Sequence, residues 1–92
     1  MDYSKMSDHE INYAVGLMNQ VRNGYYITPR DYCNSWADAG PIIEKHRIAI
    51  EPAKQSEVWA AQHDEFTFFY AHKNPLRAAM IVYLMMHDKG EE

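Results

Sequence analysis

Apolar residues near the start of the chain recur every three or four positions, at Ile11, Ala14, Val15, Met18 and Val21. This period is typical of an α-helix with one buried face. Ser7 and Glu10 precede that face with the spacing of a capping box, in which each side chain binds the other residue's backbone N–H. Asn23-Gly24 is a suitable left-handed stop. We therefore predict a first helix over residues 8–22.

The segment from Gly24 to Tyr32 gives mixed signals. Its residues Tyr25–Ile27 favour extended structure, whereas Pro29 biases the preceding Thr28 away from the helical region. A short edge strand and an irregular ordered segment are both consistent with this pattern.

The next helix is expected to begin near Asn34 or Ser35, because both are good N-caps. The obstacle is Gly40-Pro41, since proline removes a backbone donor and can kink a helix interior. Two arrangements satisfy the pattern. Either one helix is kinked at this pair, or a separate helix is capped at Asp38, so that Pro41 falls in its first turn.

Three segments with strand character follow. Ile48 and Ile50 alternate with neighbours of other types, and Val58–Ala61 forms a second, weaker strand. A polar turn at Gln62–Glu65 leads to Phe66–Ala71, where apolar side chains fall on both faces. We expect this third strand to be covered on both sides. Short connections favour an antiparallel meander.

The last helix has the clearest start, because Asn74 is a good cap and Pro75 suits the first helical position. From Leu76 to Met86, ten of eleven residues are apolar or Tyr, and Arg77 is the exception. A helix that is apolar all round lies either at the centre of a core or partly in an interface. Because 92 residues build only a thin core, the pattern predicts self-association or a protein partner.

This order of elements predicts one α+β domain over residues 1–92, with a small antiparallel three-stranded sheet packed against about three α-helices. The net charge of −4 and the nine dispersed Lys and Arg residues disfavour nucleic-acid binding. The longest apolar run, Ala78–Met86, is far shorter than the ~20 residues of a membrane span. No signal pattern opens the chain, so we expect a soluble protein of the cytoplasm.

Candidate chemistry is sparse. The five histidines lack metal-ligand spacing, and His63-Asp64-Glu65 is the densest ligand-like group. The single cysteine, Cys33, precedes a predicted helix start, where a thiolate can be stabilised, but a lone cysteine is more often a small buried residue. We predict no catalytic residues, no metal and no cofactor. A small enzyme or metal protein stays as an alternative, with His63 or Cys33 in a polar pocket.

Four residues are candidates for contacts with a partner. Arg77 is the lone charge in the last helix, so it either pairs with a carboxylate or marks an exposed stripe. Met80 and Tyr83 belong to the excess apolar surface of the same helix. Trp36 fits a core anchor, or alternatively an exposed binding ring.

Two blocks, Asp31–Ile43 and Asn74–Met86, resemble the central and C-terminal motifs of the NinX family of lambdoid phages and prophages. The opening Met1–Ser4 and the segment Ser7–Asn12 are also similar to that family. Relatives often carry a longer insert in the connection that follows Asn23 here, so a partner site held by such an insert would be missing.

The resemblance implies a phage-encoded cytoplasmic accessory protein with helices on a small sheet, and it transfers no catalytic residue. Together with the last helix, it favours protein–protein interaction, with a host factor, a defence system or a phage protein as partner, or a second copy in a homo-oligomer. A nucleic-acid accessory factor is the alternative, and it requires a basic patch created by folding.

Overall fold

The computed structural model describes residues 2–21, 30–54 and 56–88. A short 3₁₀ turn at Tyr3–Lys5 precedes helix α1, which runs over Asp8–Gly16 and continues as a π-helical turn at Leu17–Val21. Helix α2 is Trp36–His46. Strands β1 (Ala49–Pro52), β2 (Trp59–His63) and β3 (Phe68–His72) then lead to helix α3 (Pro75–Asp88).

The capping box of α1 is confirmed. The Ser7 hydroxyl accepts from the Glu10 backbone N–H at 3.1 Å, and the Glu10 carboxylate accepts from the Ser7 backbone N–H at 2.9 Å. These bonds to Ser7 lower the pKa of Glu10. The helical segment spans residues 8–21 of the predicted 8–22, but its regular α-helical part ends at Gly16 and the chain continues with π-helical bonding. The predicted stop at Asn23-Gly24 and residues 24–29 of the undecided segment Gly24–Tyr32 lie outside the described residues, and the described part of that segment, residues 30–32, contains no strand.

Ser35 is the N-cap of α2, and its side chain accepts from the Asp38 backbone N–H. The alternative of a helix capped at Asp38 is therefore wrong. The helix continues through Pro41, which lies beyond the first turn. Pro41 and Ala37 are both exposed, so water can solvate the Ala37 carbonyl that proline leaves without its helical donor. Arg47 closes the helix in the left-handed conformation, with φ 54°.

The three strands form the predicted antiparallel meander, in the order β1-β2-β3. Ile50 pairs with Ala61, and Ala61 pairs with Tyr70, so these three side chains share the inner face. Ala49, Gln62 and Phe69 are likewise aligned on the outer face. Gln62 and His63 belong to β2, and the polar turn begins only at Asp64.

The third strand departs from the prediction in two ways. It begins at Phe68, because Phe66 lies in the turn with a φ of 70°. Its outer face is not covered by the described residues, since Phe69 is 47% exposed and Ala71 is exposed. Each face of β3 carries only one or two large rings. The presence of apolar residues on both faces therefore led us to overestimate the burial of the outer face.

Helix α3 is the centre of the fold. It contacts all three strands on one side and helices α1 and α2 as well. Every residue from Leu76 to Leu84 is buried. The expectation that a chain of this size cannot cover such a helix is therefore wrong. Helices and sheet together enclose α3, and this confirms the α+β fold with three helices and a three-stranded sheet.

Candidate functional site

The four candidates for partner contacts lie in different environments. Trp36 is 59% exposed at the first position of α2, so it is an exposed ring and not a core anchor. Arg77, Met80 and Tyr83 are 7%, 0% and 2% exposed. Their burial within the chain removes the physical argument for an interface on α3.

Arg77 is held inside the fold by the carboxylate and carbonyls of the N-terminal segment. Its guanidinium donates to Asp8 at 2.7 Å and to the carbonyls of Met6 at 2.5 Å and Tyr3 at 3.3 Å. The pair with Asp8 is the carboxylate pairing that the sequence left as one of two alternatives. Arg77 therefore fastens the start of the chain to the first turn of α3.

Asn74 connects the two sequence blocks that carry the family resemblance. Its side-chain oxygen accepts from the backbone N–H groups of Leu76 and Arg77, which caps α3. Its amide nitrogen donates to the carbonyl of Cys33 at 2.6 Å. The Cys33 backbone N–H in turn donates to the Asn12 side chain at 3.0 Å. We call Asp8, Asn12, Cys33, Asn74 and Arg77 the clasp.

The thiol of Cys33 is a buried component of this clasp. Burial, reinforced by the negative charge of Asp8, raises the pKa of Cys33 to about 12. A nucleophilic cysteine needs the opposite shift, because the thiolate is the reactive form. The environment of Cys33 therefore fits the buried structural residue and argues against the nucleophile considered from sequence.

The histidines are spread over several elements. His63 lies at the end of β2, before Asp64 and Glu65 in the turn. His46 packs edge-on against Tyr83, with ring centroids 4.9 Å apart, and Tyr83 packs similarly against His87. In the part of the chain that the structure describes, no three His, Cys, Asp or Glu residues are grouped to hold a metal ion.

An open groove of about 750 Å³ lies where the β2–β3 turn meets the C-terminal end of α3. We call it the C-terminal groove, and its lining consists of Tyr3, Phe66, Thr67, Phe68, Phe69, Met85 and Asp88. Phe66 is 57% exposed, and its ring lies 5.9 Å from that of Phe69. Exposed apolar rings beside a groove are typical of a binding surface.

The backbone that presents Phe66 is unusual. Asp64, Glu65 and Phe66 have φ values of 56°, 51° and 70°, so three successive non-glycine residues are left-handed. The turn is closed by a bond from the Thr67 N–H to the Asp64 carbonyl, at 3.0 Å. The Gln62 side chain also accepts from the Phe66 N–H. Such conformations cost about 1 kcal/mol or more each and concentrate at functional sites.

The other edge of the groove is formed where the N-terminal 3₁₀ turn contacts the last residue of α3. The Tyr3 hydroxyl donates to the Asp88 carboxylate, while the Tyr3 ring is buried. Sequence reasoning missed Tyr3 and Asp88, because no local pattern relates two residues so far apart in the chain. Sequence reasoning also assigned Phe66 and Phe69 to a strand covered on both sides. Phe66 lies outside that strand because its φ is positive, which the apolar pattern does not reveal.

These features define a small α+β protein built around a buried central helix, with a polar clasp and an open aromatic groove. Within the described residues, no helix has the length and apolar character needed to cross a membrane.

The sequence profile of the family described as "Bacteriophage P22, NinX" matches residues 2–87 of the chain. The chain therefore belongs to this family of phage proteins, as the two motif blocks predicted. None of the curated proteins compared with the chain is significantly similar to it.

Proposed function

We propose that this protein is a non-enzymatic phage accessory protein that acts in the host cytoplasm by binding another protein. The observation that carries the proposal is the C-terminal groove, where Phe66 on a strained turn and Phe69 on β3 are exposed side by side. The partner is a host factor, such as a component of a defence system, or another phage protein. Family membership supports the phage accessory role.

The position of the exposed rings favours binding over chemistry. Phe66 and Phe69 supply apolar area that a protein partner would bury. The two groups that the sequence offered for catalysis or metal binding support neither role, because Cys33 has a raised pKa and His63 lies at a strand end beside an exposed turn. The nucleic-acid alternative is weakened too, since Arg77 is occupied inside the fold.

Affinity capture with matched variants tests the proposal. The tagged full-length protein and three variants are produced in the bacterial host, and the captured proteins are quantified by mass spectrometry. The double variant Phe66→Ser/Phe69→Ser removes the exposed pair. The control Tyr13→Ser removes a ring that is 56% exposed but lies on α1. Trp36→Ser tests the one sequence candidate that is exposed.

We expect one protein to be captured in stoichiometric amount by the wild type and by Tyr13→Ser, and to be lost with the double variant. Direct binding of that purified protein should then be confirmed by calorimetry. If the partner is still captured by the double variant but not by Trp36→Ser, the interface lies at the start of α2 instead. Identical captured proteins with all four baits, or none with any, would overturn the proposal.

A further inference from the structure

The C-terminal groove combines apolar lining residues with carboxylates in the groove and in the adjacent turn, and we call these carboxylates its acidic rim. Phe66, Phe68, Phe69 and Met85 supply apolar surface, and Asp88 contributes a carboxylate. Asp64 and Glu65 are exposed in the same turn that places Phe66 at the groove. None of the seven lining residues is a lysine, arginine or histidine.

The location of Asp88 adds to the negative potential. It is the last residue of α3, where the terminal backbone carbonyls carry the negative end of the helix dipole. A carboxylate is disfavoured there unless a donor or a cation is near. The Tyr3 hydroxyl supplies one donor, but it brings no positive charge. A cationic group of a partner would therefore be attracted to this end of the helix.

From this arrangement we propose that the groove binds a protein segment that presents a large apolar side chain next to a lysine or arginine. The inference rests on the proposed function and specifies the chemistry of its partner. The apolar side chain contacts Phe66 and Phe69, and the cation pairs with Asp88. The volume of about 750 Å³ accommodates a few side chains of such a segment.

The same charges disfavour other occupants. A second copy of the chain would bring another acidic rim against this one, and each copy carries a net charge of −4. A nucleic acid or an acidic peptide would meet the same repulsion. Charge complementarity thus favours a basic, apolar segment over these alternatives.

The experiment is a selection from a random 12-residue peptide display library on the immobilised full-length protein. Peptides that also bind Phe66→Ser/Phe69→Ser are removed, and the remaining sequences are compared with the starting library. We expect enrichment of Lys or Arg within two positions of a large apolar residue. A synthetic peptide from this set should lose at least ~10-fold in affinity for Phe66→Ser.

A charge-specific variant then tests the role of Asp88. Asp88→Asn keeps an oxygen that can accept from the Tyr3 hydroxyl but removes the charge. It should weaken the selected peptide by about fivefold, and added salt should reduce this difference. Tyr13→Ser should leave affinity unchanged. Thermal unfolding of each variant checks that the fold persists.

The outcomes separate the two proposals. Groove-dependent peptides without Lys or Arg enrichment, or an affinity unaffected by Asp88→Asn, would overturn the basic-segment inference and leave protein binding at the groove intact. Peptides that bind the double variant equally would exclude the groove itself. Self-association in sedimentation velocity that is lost with Phe66→Ser would identify a second copy as the occupant. A tenfold gain in peptide affinity for a chain ending at Asp88 would identify the last four residues instead.

Discussion

The two ends of α3 differ in how their side chains are satisfied: polar groups are paired at one end, and apolar rings are exposed at the other. At the N-terminal end, the clasp pairs the guanidinium of Arg77 with Asp8 and the amide nitrogen of Asn74 with the Cys33 carbonyl, while the Asn74 side-chain oxygen caps α3. At the C-terminal end, large rings are exposed and the backbone of the adjacent turn is strained. This difference fits a structural role for the N-terminal end of α3 and the proposed binding role for its C-terminal end.

The largest effect should come from breaking the clasp. Arg77→Met removes the charge partner of Asp8 and the side-chain donor to the Met6 carbonyl, and it leaves the Tyr3 carbonyl with the Met6 backbone N–H as its donor. We expect the free energy of unfolding to fall by about 3 kcal/mol, because a buried guanidinium loses its charge-assisted hydrogen bonds to Asp8, Met6 and Tyr3. Urea denaturation measures this loss.

The control for Arg77→Met breaks an exposed pair of the same type. Arg30 lies 3.3 Å from Asp38, and its side chain is 48% exposed. Arg30→Met should therefore cost less than about 0.5 kcal/mol. Equal losses for the two variants would contradict the structural role of the clasp.

A smaller loss is expected from Asn74→Ala, because it removes both the cap of α3 and the bond to the Cys33 carbonyl. The free energy of unfolding should fall by about 2 kcal/mol. Asn74→Asp retains a capping oxygen but lacks the donor, so it should recover part of this loss. If Asp restored full stability, the connection between the two motif blocks would be energetically unimportant.

At the opposite end, substitution should increase stability. Phe66→Gly relieves the left-handed strain and removes an exposed ring, so we expect a gain of about 1 kcal/mol. The matched control is Thr67→Gly in the same turn, at a residue without a positive φ, which should lose up to about 1 kcal/mol. A loss at both positions would show that the Phe66 ring stabilises the turn.

The pH dependence of stability tests histidines near both ends of α3. Burial is the main cause that lowers the pKa of His72, which precedes the clasp, and of His46, which packs against Tyr83. Because the folded pKa lies below the ordinary value of 6.5, protonation favours the unfolded chain. Stability should therefore be complete above about pH 6.5 and decrease as the pH falls toward the folded pKa values. His46→Gln and His72→Gln should each flatten part of this decrease in chemical denaturation curves.

Local sequence signals determined most of the elements. The capping box at Ser7 and Glu10, the cap at Ser35 and the Asn74-Pro75 start involve partners only a few residues apart, so their geometry follows from spacing alone. The meander was also predictable, because short connections leave few alternatives to antiparallel pairing. The two motif blocks were sufficient to identify the family.

Tertiary structure decided which of these surfaces are buried. The apolar character of α3 is the same for a central helix and for an interface helix, and only the packing of sheet and helices around it distinguishes them. Likewise, Arg77 meets Asp8, and Tyr3 meets Asp88, across most of the chain length. Phe66 is exposed because of the conformation of the β2–β3 turn. Phe69 is exposed because none of the described residues covers the outer face of β3. Sequence fixes local hydrogen bonding and periodicity, whereas burial depends on contacts between distant segments.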